Sequence, residues 1–423
     1  MPVDRAPRYA RPLARLLLLA CALHAGACTT MIARKNLPYP LTTDRFADPV
    51  KVVTIPLPAI AASPNEGVTW GGLTAFLLHD ANDEVDSLVA PQLYYNPNFG
   101  VTGAVYGTFA LSPERDLEFN ASRSTKVNDD LELTVRDKTL MGKKLELRAF
   151  LYGLTDGSAR FYGFGAESPS DAETNFGDRE VGFTLSAGYD IGRHLQVVLG
   201  ERLRNVNVVK GAVVSLPYTA DLFTAGAVPG IDGFTTHAQK LSLVYDTTDS
   251  KTVPTRGIRA AGSVEGSFEA LGSSADFVRC DVEVKGYLPL WDDRVITAGR
   301  LAWSQVRGSG VPFLEMSILG GENSLRGYGR NRFFDRDSIL LNIEERIQAI
   351  RGRLFNVMTS WEVAPFLDVG TVMESLGAIR GHAVEINPGI GFRASVKPNI
   401  VGRIDVGYGK GGAAVYVGLK YPF

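Results

Sequence analysis

From about residue 68 to its last residue the chain alternates apolar and polar side chains with period two, in stretches of roughly nine to fourteen residues. In Phe277–Leu290 one phase holds Val278, Cys280, Val282, Val284, Leu288 and Leu290, while Arg279, Asp281, Glu283, Lys285 and Tyr287 hold the other. Residues 401–409 set Ile404, Val406 and Tyr408 against Arg403 and Asp405, and residues 387–396 set Ile390 and Phe392 against Asn387 and Arg393. In 413–423 the phase of Val415, Val417 and Leu419 continues to Tyr421 and Phe423. A period of two means strand, and an apolar phase opposite a charged one means a sheet with one apolar and one wet face.

Alternation by itself fits a soluble sandwich as well as a barrel in lipid. Strand number and connections separate them. About sixteen or seventeen such segments follow one another, and short turns at 190–193, 291–293 and 397–399 alternate with loops at 155–178, 207–235, 307–336 and 373–384. Bacterial outer-membrane barrels have an even strand number, strands near ten residues, short turns at one rim and long loops at the other. So many strands in an open sheet would leave two edges that lipid cannot satisfy. The expectation is an all-β chain: a transmembrane antiparallel β-barrel of about sixteen strands over 67–423, placed in the bacterial outer membrane.

The first 66 residues read differently. Arg5, Arg8, Arg11 and Arg15 precede an apolar run at 16–23 and the small residues Ala25, Gly26 and Ala27, as in a secretory signal over 1–27. The same triplet before Cys28 resembles a bacterial lipobox, so Cys28 is a lipidation candidate, with ordinary signal cleavage as the alternative. Residues 28–66 carry Pro38, Pro40, Pro49, Pro56, Pro58 and Pro64 and predict a periplasmic tether with at most one short strand near 50–55. Cys280 then stands alone in the barrel, and a lipidated Cys28 could not pair with it.

Composition narrows the chemistry. A net charge of -2 leaves no nucleic-acid footprint. His24, His79, His194, His237 and His382 have no ligand spacing, and no cofactor motif or catalytic constellation occurs, so no enzyme is expected. Residues 407–412 match G-x-G-x-x-G, but the last strand follows them where a dinucleotide site needs a helix.

One stretch breaks the alternation. Residues 320–336 read GGENSLRGYGRNRFFDR, with four glycines and four arginines. Downstream, the phase of 339–349 turns Asn342, Glu344, Arg346 and Gln348 to the lumen, with Glu345 on the lipid side near an interface; that of 363–369 turns Asp368 inward. A carboxylate on each of two adjacent strands thus faces inward where the arginine-rich loop begins.

Several stretches together resemble the bacterial surface antigen, or BamA/TamA-like, superfamily of outer-membrane barrels. They are Leu325-Arg326-Gly327-Tyr328 with Gly320-Gly321 before it, Asn342-Ile343-Glu344-Glu345-Arg346, Phe366-Leu367-Asp368-Val369-Gly370, 160–165 (RFYGFG), and Tyr245-Asp246-Thr247 with Pro254-Thr255-Arg256-Gly257. The resemblance implies an extracellular loop folded into the barrel, with Arg326, Gly327 and Tyr328 docked on the wall and Arg326 paired first with Asp368 and second with Glu344. A guanidinium suits that task because it is permanently charged and binds carboxylates bidentately. It further implies that Phe423, on the lipid-facing phase, is a signal read by the barrel-assembly machinery. The surroundings would be outer-membrane lipid and lipopolysaccharide. Members that insert or translocate proteins usually carry POTRA domains of about 75–80 residues, and residues 28–66 hold none. The implied function is therefore assistance in inserting or translocating proteins, or lipid-linked cargo, with a separate periplasmic protein partner. The alternative is a small-solute pore plugged by the loop.

Overall fold

The computed structural model describes residues 28–36, 46–83, 85–112, 114–291, 293–354, 357–379, 381–396 and 400–423. The signal expected over 1–27 and the turn at 397–399 lie outside the described residues. The first strands are β1 (Cys28–Ile32), β2 (Val50–Ser63), β3 (Gly67–His79), β4 (Val85–Asn96), β5 (Gly100–Ser112), β6 (Arg115–Ser124) and β7 (Asn128–Leu140). Then come β8 (Leu145–Phe161), β9 (Thr174–Asp190), β10 (Leu195–Lys210), β11 (Phe234–Asp246), β12 (Gly257–Ser267), β13 (Phe277–Leu290) and β14 (Val295–Gly308). The last are β15 (Ser317–Leu319), β16 (Phe333–Asp335), β17 (Asp337–Leu354), β18 (Val357–Met373), β19 (Glu385–Val396), β20 (Ile400–Gly409) and β21 (Gly412–Leu419).

β15 and β16 pair only with each other, and the other nineteen strands form one sheet. Without β1, a five-residue strand beside the start of β2, that leaves an antiparallel meander of eighteen whose last strand returns to lie against its first. An even number puts the start of β2 and the end of β21 at one rim, the rim of short turns. Two differences from the sequence reading stand out. Residues 50–63, assigned to the tether, form a full strand paired with β3 from Lys51↔His79 to Ser63↔Gly67. The segments between 67 and 140 are five separate strands, so the meander exceeds sixteen. The prolines misled: an edge strand tolerates proline where its nitrogen faces away from its neighbour.

Pro56 and Pro58 occupy such positions. A strand residue points its N–H and C=O to one edge, and the next residue points to the other. A Cβ on Gly72 of β3 would lie 3.5 Å from the Leu57 carbonyl oxygen, so Leu57 faces β3. The nitrogens of Pro56 and Pro58 therefore face the opposite edge, toward β21, and bring no hydrogen to it. Among the described residues β2 forms ladders with β1 and β3 and β21 with β20, and none joins β2 to β21. The barrel closes there by contact alone.

The apolar phases face outward: Leu131, Val181, Leu199, Leu241, Ile343 and Phe392 are all exposed, as a lipid-facing band requires. Glu345, on the outward phase, accepts the Thr297 hydroxyl proton between its two oxygens, each 3.0 Å away, near the rim where β14 begins. No helix among the described residues is long and apolar enough to cross a membrane. β8 and β9, seventeen residues each, outrun the roughly 9–11 residues that span a bilayer. Their extensions shorten the loop expected at 155–178 and join the other loops in an apolar cap. In this cap Phe161 lies edge-on to Phe313 and Phe334 at 5.4 and 5.2 Å, with Phe176 and Ile231 buried around them.

Candidate functional site: the docked loop

Residues 309–336, between β14 and β17, are held at the cap by Phe313 and Phe334 and by the β15–β16 pairing Ser317↔Asp335 to Leu319↔Phe333. Beyond Leu319 the chain turns into the lumen through Gly320 and Gly321, at φ +112° and +104°, a region open to glycine and strained for other residues. Its tip rests on the inner wall of β17–β20.

Arg326 is 1% exposed and sits at the centre of that wall. Its Nε and Nη2 donate to the two Asp368 oxygens at 2.9 and 2.8 Å, its Nη1 donates to Glu344 at 2.9 Å, and its backbone N–H donates to Asp368 at 3.1 Å. The guanidinium also stacks over Phe366, 3.4 Å from the ring centre. The period-two phases place these groups: Asn342, Glu344 and Arg346 point inward from β17, and Phe366 and Asp368 from β18. Cross-strand partners Asn342 and Asp368 are bonded at 2.8 Å.

The cluster is larger than the two carboxylates singled out in the sequence. Arg393 of β19 reaches Glu344 at 2.9 Å and Asp405 at 2.8 Å, Arg346 reaches Glu344 at 3.0 Å, and Arg403 reaches Asp405 at 2.8 Å. Arg326 itself lies 3.5 Å from Asp405. All of these side chains are at most 3% exposed. Four arginines face three carboxylates, and Glu322 of the loop, 3.1 Å from Arg403, supplies the fourth negative charge. Buried charge of this density persists because every arginine in it faces a carboxylate, although Arg346 Nη2, Arg393 Nε and Arg403 Nε have no hydrogen-bond partner of their own. The strand phases carried the signal for Arg393, Arg403 and Asp405; what they lacked was the sheet order that stacks β17 to β20 side by side.

The neighbours of Arg326 fix the backbone. Gly327 N–H donates to Asn387 at 3.3 Å, and the Tyr328 hydroxyl donates to Glu385 at 2.5 Å. Close approach depends on β20: a Cβ on Gly407 would lie 2.2 Å from the Arg326 carbonyl oxygen, and one on Gly409 2.4 Å from that of Gly327. The glycine run that mimics a dinucleotide motif thus makes room for the loop.

A second anchor, unforeseen from sequence, holds the loop to another stretch of the wall. Glu315 is fully buried and accepts from Arg202 at 2.9 Å, Arg204 at 3.3 Å and Arg279 at 3.2 Å, on β10 and β13. Burial pushes its carboxyl up, but Arg202, Arg204 and Arg279 outweigh this and bring it down to about 2. The remaining loop arginines bond within the protein: Arg330 to Glu322, Arg332 to Ser168, Arg336 to the Gly308 carbonyl.

Two other candidates sit elsewhere. Cys28 is exposed on β1, opposite Thr54. Phe423 does not lie on the lipid side: after Leu419 the chain leaves the strand and turns inward. There Phe423 packs with Tyr287, Ile296 and Ala298, and the Tyr421 ring stacks 3.7 Å from the Arg346 guanidinium. The buried cation at the mouth of the lumen draws these rings in, against the strand phase. Among the described residues no group of three His, Cys, Asp or Glu could hold a metal.

The model of the Omp85 superfamily domain matches residues 115–409, most of the strands and all of this wall. The chain belongs to the Omp85 superfamily. Among curated proteins it is 25% identical over 269 residues to the outer membrane protein assembly factor BamA of Nitratidesulfovibrio vulgaris, covering 57% of this chain and 32% of that one. The chain thus spans about a third of that relative's length. Among solved structures, BamA from Haemophilus ducreyi lacking POTRA domains 1-3 aligns over 97% of this chain and 77% of its own, at TM-score 0.50 and 14% identity. CdiB from Acinetobacter baumannii aligns over 93% of this chain and 64% of its own, at TM-score 0.47 and 10% identity. As an Omp85 barrel the chain is an outer-membrane protein.

Proposed function

We propose that this Omp85 barrel assists the insertion or translocation of proteins, or lipid-linked cargo, at the outer membrane, and that a separate periplasmic protein delivers the cargo. The observation that carries the reading is the seam. The lumen is crossed by a loop anchored on two walls, whereas β2 and β21 meet without a ladder, beside two prolines that withhold donors. The wall is therefore weaker at that seam than the lumen is open, which favours work on chains that enter the membrane. An exposed strand edge is also a template for another strand. The named relative is an assembly factor, which supports the same direction.

The test is assembly of a urea-denatured small outer-membrane barrel into liposomes, followed by the gel mobility of its folded form. Liposomes carrying this protein, supplied with periplasmic extract, should fold the client at least about tenfold faster than empty ones. Equal rates with and without the protein would overturn the proposal. A pore is the second reading, favoured by a cavity of about 620 Å³ inside the barrel lined by Arg148, Lys240, Arg259, Asp281, Glu283 and Arg300. It requires steady single-channel conductance in planar bilayers with the loop docked.

A further inference from the structure

We infer that the inward loop is the clasp of the barrel seam: through Tyr328 and Arg330 it bonds both edges that the missing ladder leaves apart. On the β21 side, Tyr416 is 4% exposed and donates its hydroxyl to the Tyr328 carbonyl. The turn between β20 and β21 adds the Lys410 N–H, which donates to the Tyr328 hydroxyl at 3.2 Å. On the β2 side, Asn65, in the turn between β2 and β3, is 6% exposed and donates from Nδ2 to the Arg330 carbonyl at 3.1 Å. Asn65 is itself pinned, since its carbonyl accepts from Arg160 at 2.7 Å. The carbonyls of two alternate residues of one loop thus hold the first hairpin and the last strand.

The residue between them shows how close the fit is. A Cβ on Gly329 would lie 2.2 Å from the Asn65 side-chain oxygen, so any larger residue there must displace the Asn65 amide. The clasp acts at the loop-rich rim, beyond Pro56 and Pro58, which withhold two donors from the seam at the middle of β2. At the other rim β1 covers β2 from Val50 to Thr54, and the solvent-screened pair Lys420–Glu118 at 2.7 Å ties the chain after β21 to β6 rather than to β2. The ion pairs of Arg326 fix where the loop lies; Tyr328 and Arg330 turn that position into seam closure. This goes beyond the proposed function, because it concerns the barrel without any client.

The experiment is a distance measurement between nitroxides on Ile60 of β2 and Val417 of β21, both outward and exposed, by double electron–electron resonance in liposomes with Cys28 and Cys280 replaced by serine. Tyr416→Phe with Asn65→Ala should add a population longer by about one strand spacing, ~4.8 Å. Gly329→Ala, which deletes no bonding group but drives a methyl group against the Asn65 amide, should do the same. Arg332→Gln, which frees the loop from Ser168 while leaving both clasp bonds in place, should leave the distribution as in the parent. An unchanged distribution in both clasp variants, or equal lengthening in Arg332→Gln, overturns the inference. Because no client is present, a failed assembly assay leaves this result standing and the reverse also holds.

Discussion

Replacing Arg326 by alanine strips the buried Asp368 carboxylate of its cation while sparing the sheet. Glu344 keeps Arg346 and Arg393, and Asp405 keeps Arg393 and Arg403. Asp368 keeps the neutral Asn342 amide at 2.8 Å. Breaking a buried pair by removing one partner costs about 3–5 kcal/mol, less where water enters. The ladders from β2 to β21 do not involve Arg326, so the loss falls on loop docking. At about 1.4 kcal/mol per tenfold, the undocked population rises roughly 100- to 4,000-fold. Trypsin cleavage after Arg330 and Arg332 in reconstituted barrels follows that population when opening is fast relative to cleavage. Asp368→Asn should act more weakly, because Arg326 retains Glu344 at 2.9 Å and Asp405 at 3.5 Å. Arg326→Ala with Asp368→Ala should cost less than the two single changes added together, since neither charge is left alone. A rise below about tenfold in Arg326→Ala, or strictly additive costs in the cycle, would refute the argument.

Gly407→Ala places a methyl group against the Arg326 carbonyl and should raise trypsin sensitivity of the loop by at least about tenfold, with the barrel's heat-modifiable gel mobility unchanged. Glu315→Gln leaves Arg202, Arg204 and Arg279 without their shared carboxylate and should free the cap end of the loop at a cost of about 3 kcal/mol, read as faster proteolysis near 309–316. The same residue sets a pH dependence. Its carboxyl, held at about 2 against an ordinary 4.5, contributes fully above pH 4.5 and is lost as pH falls through about 2. Pepsin sensitivity of the cap end should therefore rise between pH 4.5 and 2 in the parent and be flat in Glu315→Gln.

The sequence alone determined the architecture, because a period of two needs no tertiary information: it makes a residue's face a matter of parity. Parity put Glu344 and Asp368 on the inner wall and Val282, Ile343 and Phe392 in lipid, and the run of glycines and arginines at 320–336 marked the loop. Parity does not say which strands are neighbours around the ring, nor how far a loop reaches. Those two facts bring Arg393 and Asp405 to Arg326, and Glu315 to Arg202. Composition also misled where position decides. The prolines of 50–63 suggested a tether, yet an edge strand accepts them because their nitrogens face the seam; the terminal Phe423 followed the lipid phase until Arg346 drew the last residues inward. Only the tertiary structure set the first and last strands side by side and laid Tyr328 and Arg330 between them.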